Sequence, residues 1–174
     1  RFNSNSTLNL SYYNSYDFFR FARDFGFEWR TQLLNLNWKQ IWNSKLSSST
    51  AVILGDYLST QFDPEGTNAF NLDNGLQYAK AKQNFFYNPS PKHAINAGAV
   101  FTAYDMKPET LSPRGENSGI DNRVLDKEQA YELGLYVNDE YTINDRIALA
   151  VGLRYSWYQN FGEDEVFLYQ EGLP

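Results

Sequence analysis

The residues able to do chemistry are few and scattered. His93 is the sole histidine; a lone imidazole cannot build a metal site, and no Ser and acid accompany it to suggest a triad, so it reads as a residue of the turn it adjoins. The 174-residue chain has no Cys, which removes disulfides, thiolate metal sites and cysteine nucleophiles together. Asp63-Pro64-Glu65-Gly66 and Glu163-Asp164-Glu165 offer oxygen ligands to Ca²⁺. Neither has the spacing of a dedicated loop, and both read better as solvated charge, so no cofactor is implied. Glu132 and Glu140 have no nucleophile or matched carboxylate nearby and are not a catalytic pair. An enzyme is not expected. The net charge of -6, with no cluster of Lys and Arg, argues against nucleic acid as a partner.

What remains is a pattern rather than a motif. Aromatic residues make up 17% of the chain, yet its mean hydropathy is only -0.58, so apolar and polar residues must be interleaved. No run approaches the roughly 20 apolar residues of a membrane-spanning helix. From Glu128 to Phe161 the alternation is clear. Tyr131, Leu133, Leu135, Val137 and Tyr141 share one face, opposite Glu132, Gly134, Tyr136, Asn138 and Glu140. After Asn144-Asp145-Arg146, Ile147, Leu149, Val151, Leu153, Tyr155 and Trp157 continue an apolar face opposite Ala148, Ala150, Gly152, Arg154, Ser156 and Tyr158. This is a long antiparallel hairpin. Matching its two apolar faces requires paired numbers with an even sum, which favours a three-residue loop at Asn144 to Arg146 and sets Arg154 opposite Tyr136.

Strand length separates a soluble sheet from a membrane barrel. Soluble strands have about 5 to 6 residues, and these alternate for about twice that. Eleven residues at ~3.3 Å, tilted near 45°, span ~25 Å, the height of an outer-membrane apolar band, and Tyr141 at one end with Tyr131, Tyr155 and Trp157 at the other resemble its two aromatic girdles. Leu133, Leu135, Val137, Ile147, Leu149, Val151, Leu153, Tyr155 and Trp157 are therefore expected to face lipid. Glu132, Tyr136, Asn138, Glu140, Arg154 and Tyr158 are expected to face the lumen or a plug, or to join a lumen hydrogen-bond network. Asp139, the one charge on the apolar face, falls near the turn, where its cost is about 0 to 1 kcal/mol.

Upstream, Leu34, Leu36, Trp38 and Trp42 alternate with Asn35, Asn37, Lys39 and Asn43, although Gln40 and Ile41 break the pattern. A strand from Leu46 to Thr60 has ambiguous facing, since Val52 and Leu54 compete with Ala51, Ile53 and Tyr57. Leu72 to Tyr87 is expected to pair with Ile95 to Asp105 through a turn at Asn88 to Lys92, and Thr7 to Phe19 adds a further strand. Short turns near Ser44, Ser90 and Asp145 alternate with longer polar segments (61–71, 107–126 and 162 onward), the asymmetry of periplasmic turns against extracellular loops. All six Pro residues are assigned to turns, loops or the terminus. The count is about seven strands, fewer than the eight of the smallest membrane barrels, which implies a fragment of a larger one. The chain opens at Arg1 without a signal or transit peptide, which suits a fragment or a processed protein equally.

Leu135-Tyr136-Val137-Asn138-Asp139-Glu140-Tyr141, Asp145-Arg146-Ile147 and Gly152-Leu153-Arg154-Tyr155-Ser156 together resemble a stretch of TonB-dependent transporter barrels. The family usually has Gln where this chain has Asn138. Leu36-Asn37-Trp38, Ser44-Lys45-Leu46 and the strand start from His93 to Gly98 are weaker echoes. The resemblance implies an all-β antiparallel transmembrane barrel of roughly 22 strands, of which residues 1–174 form part, with its lumen filled by a plug domain not present in this chain. It further implies a bacterial outer-membrane location and import of a ligand into the periplasm, energised through TonB. Partners would be outer-membrane lipid, the plug, the TonB complex and, in one branch, a surface lipoprotein. A passive porin or structural barrel is the competing reading, and a soluble sheet module a more distant one.

Overall fold

The computed structural model describes residues 4–22 and 24–161. These residues form one antiparallel sheet: β1 (Ser6–Phe21), β2 (Phe25–Ile41), β3 (Leu46–Asp63), β4 (Phe70–Ser90), β5 (His93–Pro113), the two-residue β6 (Arg123–Val124), β7 (Glu128–Asn144) and β8 (Ile147–Asn160). The order is β1-β2-β3-β4-β5-β7-β8, with β6 paired to β5. The seven long strands have 14 to 21 residues each. They are the seven expected from alternation, and the fold is all-β.

The register keeps one face apolar across the sheet. A single rung runs from Leu36 through Val52, Ala81, Phe101 and Leu133 to Trp157, and its neighbour from Leu34 through Leu54, Ala79 and Ala103 to Tyr131. This settles the facing of β3: Val52 and Leu54 join the apolar face, while Ala51, Ile53 and Tyr57 lie on the other. Gln40 and Ile41 do not break β2, whose pairing runs on to Ile41↔Ser47.

The rungs are staggered. On the rung through Ser48, Ala97 and Leu153, the returning strands β3, β5 and β8 begin two, four and six residues away, at Leu46, His93 and Ile147. One residue of shift per strand, at ~3.3 Å along and ~4.8 Å across, is a tilt of about 35°, within the range of barrel strands.

Several boundaries differ from those expected. The turns are tighter, Pro91-Lys92 and Asp145-Arg146, because register shifts at Tyr87/Ser90 and Thr142/Asn144 absorb the extra residues. The even-sum pairing nevertheless holds, with Tyr136 opposite Arg154. Residues 107–113 are strand rather than loop. Pro89, Pro108 and Pro113 consequently lie within strands. Pro89 sits in the shift at Tyr87/Ser90 and Pro108 beside the one at Asp73/Gly75, where the ladder is already interrupted, and Pro113 ends β5. The first half of β2 and the tight turn after Phe21 have no counterpart in the expected segmentation. That turn places a short connection at the long-loop end. Gly162 onward, including Glu163-Asp164-Glu165, lies outside the described residues.

Core is confined to the long-loop end. Phe62 is 2% exposed, stacked on Phe18 at 5.9 Å and covered by the Arg114 guanidinium at 4.3 Å. The loops on either side are tied by Arg114 N–H donating to Ala69 O (3.0 Å) and Gly119 N–H to Thr67 O (2.7 Å).

On the polar face, large side chains lie flat over glycines of adjacent strands. A Cβ at Gly55 would collide with the Tyr78 ring, and one at Gly98 with the Gln83 backbone oxygen and the Tyr136 ring. Gly55→Val is expected to destabilise the sheet by roughly 1–3 kcal/mol through overpacking. Urea titration of refolded full-length protein, repeated in a Tyr78→Ala background, should show most of that loss recovered if the collision is its cause.

Candidate functional site

Every residue expected on one face of the β7–β8 hairpin lies on that face. Glu132 pairs with Tyr158, Tyr136 with Arg154 and Asn138 with Gly152, while Leu133 pairs with Trp157, Leu135 with Tyr155, Val137 with Leu153 and Tyr141 with Leu149. Ile147 and Val151 continue the apolar side.

The polar face is organised by side chains that reach across strands. The Tyr136 hydroxyl passes over Gly98 and donates to Asn84 Oδ1 in β4. Arg154 sets its guanidinium 5.9 Å from the Tyr136 ring centre, and its Nε donates to Ser156 Oγ at 3.1 Å. Tyr104 donates its hydroxyl to Glu132 Oε2 at 2.9 Å and packs 6.4 Å from Tyr78, over which Lys80 lies at 5.8 Å. Four of the expected polar residues, Glu132, Tyr136, Arg154 and Tyr158, thus share one neighbourhood. Asn138 and Glu140 share the face but lie nearer the turn. Asn84, Tyr78, Lys80 and Tyr104 were not singled out from sequence, because their roles depend on strand neighbours rather than on spacing. Asn37 Oδ1, Asn96 Oδ1 and Thr102 Oγ1 are buried on this face without a partner among the described residues.

At the long-loop end the same face carries a run of rings. Phe21 stacks on Phe25 at 5.9 Å, Phe25 meets Phe27 edge-on at 5.8 Å, and Phe27 lies nearly parallel to Trp29 at 5.7 Å. Among the described residues no group of three or more His, Asp or Glu is placed to hold a metal ion.

The apolar face has no covering layer. Leu135 and Val137 are 44% and 46% exposed although β7 is an interior strand, and Val52 and Leu54 of β3 are similar at 42% and 47%. The chain exposes 12970 Å² at 20.2 kDa, against roughly 8,800 Å² for a compact monomer of that mass. Several polar groups that interrupt this face are paired, whereas Asp105 Oδ1 is buried on it without a partner among the described residues. Trp38 and Trp42 donate their indole N–H to Ser6 and Ser48 at 2.8 and 3.0 Å, and the Thr50 hydroxyl donates to Gln83 Oε1 at 2.5 Å.

Residues 1–170 match the family of TonB dependent receptor-like β-barrels. The chain belongs to that family. Comparison with curated proteins and with solved structures finds no match. The family is one of outer-membrane transporters in Gram-negative bacteria rather than of enzymes. The single uncovered sheet is therefore a portion of a receptor barrel, and its edges at β1 and β8 are where a closed barrel would continue.

Membership also gives context to His93. It is not a turn residue: it opens β5 on the apolar face, stacked on Tyr141 at 4.5 Å, with Nδ1 2.6 Å from Asp139 Oδ2. Asp139, the charge that interrupts the apolar face of β7, thus has a partner 46 residues away in sequence. His93→Ala is expected to cost roughly 0.5–1.5 kcal/mol by leaving Asp139 unpaired. Equilibrium unfolding in lipid should show that adding Asp139→Asn to the His93→Ala variant restores most of it.

Proposed function

We propose that residues 1–174 are part of one outer-membrane β-barrel domain of an energised importer, and that the apolar face meets lipid while the polar face lines the lumen. The observation that carries this reading is the match to the receptor barrel family over residues 1–170. The physical support is the uncovered apolar face. From Tyr131 to Tyr141, ten steps of ~3.3 Å at a tilt of about 35° span roughly 27 Å, close to the height of an outer-membrane apolar band.

In this reading Leu133, Leu135, Val137, Ile147, Leu149, Val151, Leu153, Tyr155 and Trp157 face hydrocarbon. Glu132, Tyr136, Asn138, Glu140, Arg154 and Tyr158 face a plug domain carried elsewhere in the full-length receptor. Ligand entering at the long-loop end would pass the aromatic run from Phe21 to Trp29 on its way to the plug. The inner-membrane TonB complex, drawing on the proton gradient, then displaces the plug and the ligand reaches the periplasm. In one branch of the family a surface lipoprotein would be a further partner.

Two measurements test the reading. Val151→Arg or Leu153→Arg should each cost about 2–4 kcal/mol in bilayer refolding and Ser156→Arg much less; equal costs would reverse or abolish the facing. Cells expressing the full-length receptor should deplete a component of their medium, and a protonophore should stop this. Depletion that survives the protonophore would favour a passive pore.

A further inference from the structure

The three short turns close in the same way. Asn43 Oδ1 accepts the backbone N–H groups of Lys45 and Leu46 at 2.8 and 3.0 Å. Ser90 Oγ accepts that of Lys92 at 3.3 Å, and Asn144 Oδ1 that of Arg146 at 3.0 Å. Each turn is therefore an Asn or Ser, one further residue and a Lys or Arg, with the cation held by its own backbone as the last residue before the returning strand. Such a repeat is not required to reverse the chain, since the turn after Phe21 does so without it.

The register places three aromatic residues on the apolar face beside these turns: Trp42 and Tyr87 flank Lys45, and Tyr141 lies beside Lys92 in the strand that leads to Arg146. Trp42 is fixed by its bond to Ser48 and Tyr141 by its stack on His93. Lys45, Lys92 and Arg146 are exposed, and none forms an ion pair among the described residues. The nearby acids are Asp139, which His93 engages at 2.6 Å, Glu140 on the polar face beside Ala94, and Asp145 in the third turn. This end of the sheet thus presents three exposed cations on backbone-anchored turns, with Glu140 directed to the opposite face from the aromatic residues, in a chain whose net charge is -6.

We propose that these three turns are binding sites for phospholipid phosphate in the leaflet facing the periplasm. The proposal rests on the reading above that the apolar face meets lipid and that the short turns are periplasmic. A soluble anion would satisfy only the cation. A molecule with an anionic group at the boundary and an apolar body beneath it satisfies the cation and the aromatic together. Each Lys or Arg near a membrane surface contributes about fivefold in affinity for anionic lipid.

The test uses the full-length receptor in phosphatidylethanolamine nanodiscs with a minor fraction of spin-labelled phosphatidylglycerol. The triple variant Lys45→Gln/Lys92→Gln/Arg146→Gln should lower the affinity of the bound lipid about fivefold at each site. Lys45→Arg/Lys92→Arg/Arg146→Lys should retain it, with folding verified by heat-modifiable migration. Unchanged enrichment in the glutamine variant, or displacement of the lipid by millimolar inorganic phosphate, overturns the proposal. A Ser44→Cys variant separates the orientation from the binding. Labelling by an impermeant thiol reagent only after the outer membrane is opened supports the periplasmic assignment, and labelling of intact cells overturns it whatever the lipid result.

Discussion

The structure depends on register parity. Side chains alternate with a period of two, so a slip of one residue at any strand pair would turn that strand's apolar set to the opposite face. Six successive pairings, from β1·β2 to β7·β8, keep the apolar faces aligned. The three register shifts, at Asp73/Gly75, Tyr87/Ser90 and Thr142/Asn144, all fall toward strand ends. Irregularity is thereby kept away from the middle of the apolar belt, where an unpaired backbone group in hydrocarbon would cost several kcal/mol.

Given that constraint, the two faces solve different problems. The apolar face needs only to be continuous, and several of its polar groups pair locally, Trp38 with Ser6, Trp42 with Ser48 and Thr50 with Gln83. The polar face needs order without a core. It obtains this by laying Tyr78 and Tyr136 across glycines, so that the Tyr136 hydroxyl reaches β4, the second strand along. The stagger of one residue per strand adds the tilt that closing a barrel requires. Core packing is left to the long-loop end, where Phe62 and Arg114 knit two loops together.

Much of this was legible from residue order, and the failures have physical reasons. The β7–β8 hairpin alternates cleanly because one face is apolar and the other is not. In β3 both faces carry aliphatic residues, and only pairing with Leu36 and Ala81 decides between them. The first half of β2 was illegible because Phe25, Phe27 and Trp29 place their rings on the side that is polar lower in the strand, reversing the pattern. Prolines misled where they occupy ladder irregularities. The His93–Asp139 pair and the Tyr136–Asn84 bond join residues 46 and 52 apart, and such contacts become visible only once the register is known. The ligand leaves no trace in spacing, because no metal cluster or catalytic set announces it.

The central claim is that odd-numbered side chains of β7 meet hydrocarbon while even-numbered ones meet an aqueous or protein-filled interior. Residues 1–174 contain no cysteine, so once any cysteine elsewhere in the full-length receptor is replaced, single spin labels can be introduced one by one from Glu132 to Asn138 and the protein reconstituted in lipid. The account predicts oxygen accessibility that alternates with a period of two, with maxima at Leu133, Leu135 and Val137. A flat profile, or maxima at Glu132, Tyr136 and Asn138, would contradict it.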